Sequence, residues 1–289
     1  MAEIASAIVM KLRKLTGQGM MDCKKALEEA DGDMDKAVAV LRKKGLATMS
    51  KRSDRETSQG LVATKTSPDG KTSVLVTLCC ETDFVARTAD FVAAAGKLAD
   101  YALACPADEG VDLLNQTAVG GKRLSELITE LVSKTGEKTQ VGDYARFKLE
   151  GPGLISVYVH FNKKVGTMVQ FETSDLAVAG SPQVKTVAAD VAMHITATKP
   201  LALDKDGIDS AVVAQERAIY ADEVKNKPAA ILDKIVDGKM AKFFADNCLL
   251  MQPFVKDDSK TVEQVVHEAA KQAGGTARIV RFVRFEVGG

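Results

Sequence analysis

The stretch SVLVTLCCETDFVARTADFVAAAGKLADYALA, Ser73 to Ala104, changes character once, at Glu81–Val85 (ETDFV). Before that point Ser73–Cys80 is an almost unbroken apolar, β-branched run, the pattern of a buried strand. After it, Phe91, Ala95, Leu98 and Ala102 recur at helical spacing. ETDFV is therefore a strand-to-helix corner, a place where chains carry residues directed at something outside the fold. A purely structural reading stands beside this one. Thr82, Asp83 or Thr88 can cap the helix, and Phe84 can fold back on the core as a hydrophobic staple.

The corner belongs to a repeat. A first unit runs through Gly60–Thr66, a turn at SPDG, Ser73–Thr82 and a helix ending in Ala99-Asp100-Tyr101-Ala102. A second runs through Gly153–Phe161, a turn at Asn162-Lys163, Val165–Thr173 and a helix carrying Ala189-Asp190-Val191-Ala192. Two hairpin-plus-helix units of matching length imply a duplicated core. The copies differ at the corner, where the second has Glu-Thr-Ser-Asp-Leu and no aromatic. Each copy has a polar capping residue, so the shared architecture does not require Phe84. In VYVHF, Val157, Val159 and Phe161 share one strand face and leave Tyr158 and His160 on the other, where His160 is either a solvent-facing residue or one with a specific role.

Upstream, three short helices are expected in about 45 residues, near the lower limit for independent folding. The first places Ile4, Ile8, Leu12 and Leu15 on one face, and the second is CKKALEEA (Cys23–Ala30). The third is capped at Asp31-Gly32-Asp33 and ended by Gly45. Met20 and Met21 lie at the tight TGQGMM loop, as candidates for either a contact surface or the core. Ser50–Gln59 has no apolar residue and reads as a linker. Between the repeats Arg123–Gly136 is an amphipathic helix and Tyr144–Glu150 a strand. Beyond Lys199-Pro200, Ser210–Asn226 and Ala229–Asn247 form a projecting antiparallel helical hairpin. QPFV (Gln252–Val255) is expected as loop, Ser259–Ala273 as a capped helix, and Arg278–Val287 as a last strand with one wet and one dry face. The fold class is α+β. Its parts are an N-terminal helical domain (1–49), a linker (50–59), two core repeats (60–143 and 144–200), the hairpin (201–250) and a return to the core (251–289).

The 289 residues carry 39 basic and 39 acidic side chains, so no global field draws the chain to nucleic acid or membrane. Residues 1–55 are mildly basic. No apolar run approaches the ~20 residues of a membrane span, and Glu3 argues against a signal peptide. The five cysteines lack metal or redox spacing and read as reduced residues of a cytoplasmic protein. Gly-Lys-Thr within DGKTS is no phosphate loop, because position 65 is Lys where a Gly is required. Nothing assembles a nucleophile, a base and an oxyanion hole, so neither an enzyme nor a bound cofactor or metal is expected.

LRKLTGQGMMDCKKALEEADGD (Leu12–Asp33), LRKKG (Leu41–Gly45), ETDFVAR (Glu81–Arg87), AMHITATKP (Ala192–Pro200), MQPFVKDDSKTV (Met251–Val262) and VRFEVG (Val283–Gly288) together resemble the translation elongation factor Ts family, in the family's order and from end to end. The resemblance implies a guanine-nucleotide exchange factor for elongation factor Tu, met in GDP-bound and nucleotide-free states, with no direct contact to nucleic acid or membrane. It implies partner contacts at Arg13, Met20 and Met21 from the helical domain, at Thr82, Asp83, Phe84 and Val85 near the partner's magnesium ion, and at His160. The second repeat is expected to touch another domain of the partner. The chain departs from the best-known bacterial members at Gly288-Gly289, where they continue into a further contacting helix, and that bears on total affinity. The rival classes are a docking scaffold without exchange activity and a nucleic-acid-binding module using the basic bundle.

Overall fold

A computed structural model describes residues 4–288. Glu3, the acid weighed against a signal peptide, and Gly289 lie outside them. The first helices are α1 (Ser6–Thr16), α2 (Met20–Glu29) and α3 (Met34–Lys51). They enclose a small core of Val9, Leu12, Cys23, Ala26, Leu27, Ala37 and Leu41. The buried face of α1 is thus Val9 and Leu12; Ile8 and Leu15, expected inside, are exposed. As the sequence suggests, Asp33 caps α3, its carboxylate accepting from the Lys36 N–H at 3.0 Å.

Gly45 does not end α3. The helix continues to Lys51 because Gly45 is a crossing point: a Cβ there would lie 2.6 Å from the Thr129 carbonyl oxygen on another helix. A glycine is needed for that close approach. The bundle therefore rests on the core. Residues 50–59 are also anchored, contrary to the linker reading. Arg52 and Arg55 bond Glu81 at 2.7 and 2.8 Å, and the Lys138 ammonium donates to the carbonyls of Ser53 and Arg55.

The first core unit comprises β1 (Gln59–Thr66), β2 (Thr72–Cys80), α4 (Asp83–Ala86), α5 (Ala89–Ala104), α6 (Val111–Gln116), the two-residue strands β3 (Ala118–Val119) and β4 (Lys122–Arg123), α7 (Leu124–Thr135) and β5 (Thr139–Lys148). Its antiparallel sheet runs β1-β2-β5. The second unit begins with β6 (Gly153–Val159), β7 (Val165–Thr173), α8 (Leu176–Gly180) and α9 (Pro182–Thr198). After α10 (Ser210–Val224) and α11 (Ala229–Asn247), which pack on one another around Val236, Met240 and Phe243, it is completed by β8 (Pro253–Phe254), β9 (Asp257–Thr261), α12 (Val262–Gln272) and β10 (Ala277–Glu286). Its sheet runs β10-β7-β6.

The repeat is thus longer than the hairpin and helix read from sequence. Each unit also returns a second helix and a third strand, α7 and β5 in one, α12 and β10 in the other. The boundary drawn at 143/144 falls inside β5, which belongs to the first sheet. The two sheets pack face to face through Val62, Leu75, Ala145, Phe147 and Met168. The outer face of the first is covered by α5 and α7, that of the second by α9 and α12. This layering explains the unbroken apolar run of β2: Val74, Val76 and Leu78 meet the helices while Leu75 meets the other sheet.

Two strand readings need correction. Phe161 is outside β6, which ends at Val159, and is exposed rather than on the apolar face. The expected wet face of β10 is reduced to Arg278. Arg281 and Arg284, three residues apart in the regularly paired part of the strand, face opposite ways into the two neighbouring layers, with Arg281 over the Phe147 ring and Arg284 bonded to the Thr196 carbonyl. QPFV also contributes β8 and buries Phe254.

Candidate protein-docking site

The corner is built by dividing its residues between holding and presenting. Glu81 follows β2 directly and accepts from Arg52, Arg55 and the Lys138 N–H, its side chain only 12% exposed. Burial alone would raise its pKa; those three donors outweigh it and hold the carboxyl down at about 2. Thr82 is fully engaged. Its N–H and hydroxyl donate to Glu137 at 3.0 and 2.7 Å, and its Oγ1 accepts from the Val85 N–H as the cap of α4. Thr88 caps α5 in turn. The cap reading is correct for both threonines. Asp83 instead pairs with Arg87 at 2.9 Å, and both are substantially exposed. Cys80, whose thiol burial pushes up to about 12, donates to the Thr82 carbonyl and stays protonated.

Val85 packs against the first core. Phe84 does not: its side chain points outward and the residue is 82% exposed, which rules out the staple. Of the four corner residues, then, one holds, one packs, Asp83 is half free, and Phe84 is wholly presented.

Met20 and Met21 open α2 rather than lying in the loop, because the turn is completed by Gly17–Gly19; both are exposed. Gly17 takes the left-handed conformation that ends α1, its N–H donating to the Arg13 carbonyl. The Arg13 side chain is exposed. The loop docks on α7: buried Gln18 accepts from the Ser133 hydroxyl, and Lys134 lies against Gly17. Glu137, which holds Thr82, follows just after the same end of α7. The structure therefore brings the methionines and the corner to one end of one helix.

His160 follows β6, at the start of the turn into β7. Its Nδ1 lies 3.0 Å from the Tyr158 hydroxyl, so it is half-buried and partnered, not simply solvent-facing. The hairpin tip it begins is tied to β1, with the Val62 N–H donating to the Lys163 carbonyl and Lys164 to Gln59. Gln59 pairs with Cys80, two residues before Thr82. Sequence reasoning does not find Glu81 and Glu137 as anchors, since they lack any local signal and their partners are distant in the chain. Phe161 is missed as well, read as a strand residue, although a four-residue turn around Asn162-Lys163 is the signal that would have moved it out of the strand.

The elongation factor TS family model matches residues 81–289. The chain belongs to the elongation factor Ts family. Over 287 residues it is 42% identical to an elongation factor Ts of a Nitratiruptor species, covering 99% of this chain and 93% of the relative. To that of Desulfovibrio desulfuricans it is 40% identical over 291 residues, with 99% of both chains covered. To that of Clostridium botulinum it is 40% identical over 287 residues, 99% of this chain and 93% of the other. These elongation factor Ts matches span the helical bundle as well as the corner. Among the described residues there is no cluster of His, Cys, Asp or Glu fit to hold a metal ion, and no helix long and apolar enough to cross a membrane.

Proposed function

We propose that this chain is the guanine-nucleotide exchange factor for elongation factor Tu in translation elongation, and that Phe84 is the part that acts on the partner's nucleotide domain. The carrying observation is the corner itself: Glu81, Thr82 and Val85 are committed to the fold, yet an aromatic ring stands 82% exposed at its apex. An exposed phenylalanine on a rigid mount is a cost to the free protein that burial in a partner recovers.

The mechanism is differential binding. A phosphate-cradling loop and magnesium hold GDP on the partner, and the factor must bind the nucleotide-free state better than the loaded one. Burying Phe84 contributes about 1.5–3 kcal/mol, one to two decades of equilibrium constant. A larger acceleration draws on the rest of the interface. Asp83 is the acceptor that disturbs the ion's ligand shell; its exposed i,i+4 pair with Arg87 holds it by only ~0.5 kcal/mol. Arg13, Met20 and Met21 dock on the nucleotide domain, and His160 supports the same interface. Thr82 and Val85 act by holding Phe84 in place.

Release of labelled GDP from elongation factor Tu, with and without this chain, tests the reading. Acceleration at catalytic amounts is expected. By linkage, GDP must lower the factor's own affinity by the same ratio that the factor lowers GDP affinity. Equal binding to empty and GDP-loaded partner would leave only a docking scaffold.

A further inference from the structure

Of the ten phenylalanines, only Phe84 and Phe161 are exposed, and Phe161 is the more so at 87%. It occupies the second position of a tight turn in which the Lys163 N–H donates to the His160 carbonyl at 2.8 Å and the His160 N–H donates to the Val165 carbonyl at 2.9 Å. Such a turn accepts most residues at that position, and nothing in it calls for an aromatic. The left-handed residue the turn needs is supplied by Lys163, at φ 56°.

The tip is firmly mounted. Asn162 Oδ1 accepts from the Lys164 N–H, the Lys163 carbonyl from Val62, and the Lys164 carbonyl from Val287, while the Lys164 ammonium reaches Gln59. The ring's aromatic neighbour is His160, with centres 4.4 Å apart. Gln59 is the shared reference point. It is bonded to the residue three after Phe161 and paired with the residue four before Phe84. The two exposed rings therefore crown the same end of the first sheet.

Single exposed apolar residues are common on protein surfaces. Two rigidly held aromatic rings on one rim, neither used by the fold, are the arrangement of paired anchors at an interface. We infer that Phe161 is a second anchor for the GTPase partner, burying its ring in an apolar recess on the same partner face that receives Phe84. The inference rests on the exchange-factor reading and extends it to a residue outside the corner. His160 then has a definite place, between the anchor ring and the Tyr158 hydroxyl.

The test is the affinity of nucleotide-free elongation factor Tu for the full chain, for Phe84→Ala, for Phe161→Ala, and for Phe161→Ala on a His160→Ala background. Phe161→Ala is expected to weaken binding about ten- to hundredfold. Its thermal midpoint should be unchanged, and Phe161→Leu should keep most of the affinity. The loss should persist when His160 is already absent. Phe161→Ala binding within about twofold of the parent, while Phe84→Ala is impaired, would overturn the second anchor and leave the exchange reading intact. Loss of the effect on the His160→Ala background would also overturn it, reducing Phe161 to a positioning residue for the histidine. If Phe84→Ala too binds normally, both readings fall.

Discussion

The molecule contains its own control, because the corner at Glu81–Val85 has a counterpart at Glu172–Val178. Each follows a central strand, each is capped by a side-chain oxygen, and each opens a one-turn helix. Thr82 accepts from Val85, and Asp175 accepts from Val178 at 2.9 Å. Both present an apolar residue, Phe84 at 82% and Leu176 at 72% exposure. The mounts differ. Glu81 is nearly buried among two arginines and a backbone N–H, and Glu137 ties Thr82 down from a second element. Glu172 is 46% exposed and pairs with a single exposed partner, Arg278. The fold needs a cap at this place, which both copies have. The second corner is tied to its neighbour as well, the Ser174 N–H donating to the Thr276 carbonyl and the Ser174 Oγ accepting from the Thr276 N–H; the nearly buried carboxylate between two arginines and the aromatic ring are what only the first has, and those are the additions a binding role explains.

Removing the buried anchor gives the largest stability effect. Glu81→Gln leaves Arg52 and Arg55 without their carboxylate and is expected to cost about 1.5–3 kcal/mol in a denaturant titration. An effect equal to that of Glu172→Gln would erase the contrast between the mounts. The same group sets an acid limb. Its folded pKa, about 2, lies below the ordinary 4.5, so the unfolded chain binds the proton more readily. Its stabilisation is full above pH 4.5 and is lost as pH falls toward 2. Glu81→Gln should flatten that part of the stability profile; an unchanged acid slope would show that the carboxylate is not held as described.

The caps come next. Thr82→Ala removes a cap and a bond to Glu137 and is expected to cost about 2 kcal/mol, whereas Asp175→Ala removes a cap and an exposed bond from the neighbouring Ser174 hydroxyl, about 1 kcal/mol. A reversed order by thermal melting would mean that Glu137 contributes nothing to the first corner. The smallest effect is Glu172→Gln, an exposed ion pair expected to contribute about 0–1 kcal/mol.

Much of this fold is legible in the sequence. The unbroken β2 run, the alanine-rich helix after it and the Asp33 cap are local patterns, and local patterns fix local structure. Sequence reasoning fails where a distant element decides. Gly45 resembles a helix end in sequence but is a contact with Thr129, and the polar stretch after Ser50 looks free until Glu81 and Lys138 are placed beside it. The third strand of each unit escapes detection as part of the repeat because α10 and α11 separate α9 from α12 in the second copy. At the site, the isolated aromatic at Phe84 stands out by comparison with its duplicate. Its mount does not, since Glu137 lies 55 residues from Thr82.

The first corner, and not its duplicate, is proposed to act on the nucleotide. The direct measurement is the rate of labelled GDP release from elongation factor Tu at saturating factor, for the parent chain, Phe84→Ala and Leu176→Ala, each checked for an unchanged thermal midpoint. Phe84→Ala is expected to slow release by about one to two decades, while Leu176→Ala at saturation keeps the parental rate. Equal rates for the two variants, or a Phe84→Ala protein that melts several degrees lower but exchanges normally, would contradict that role.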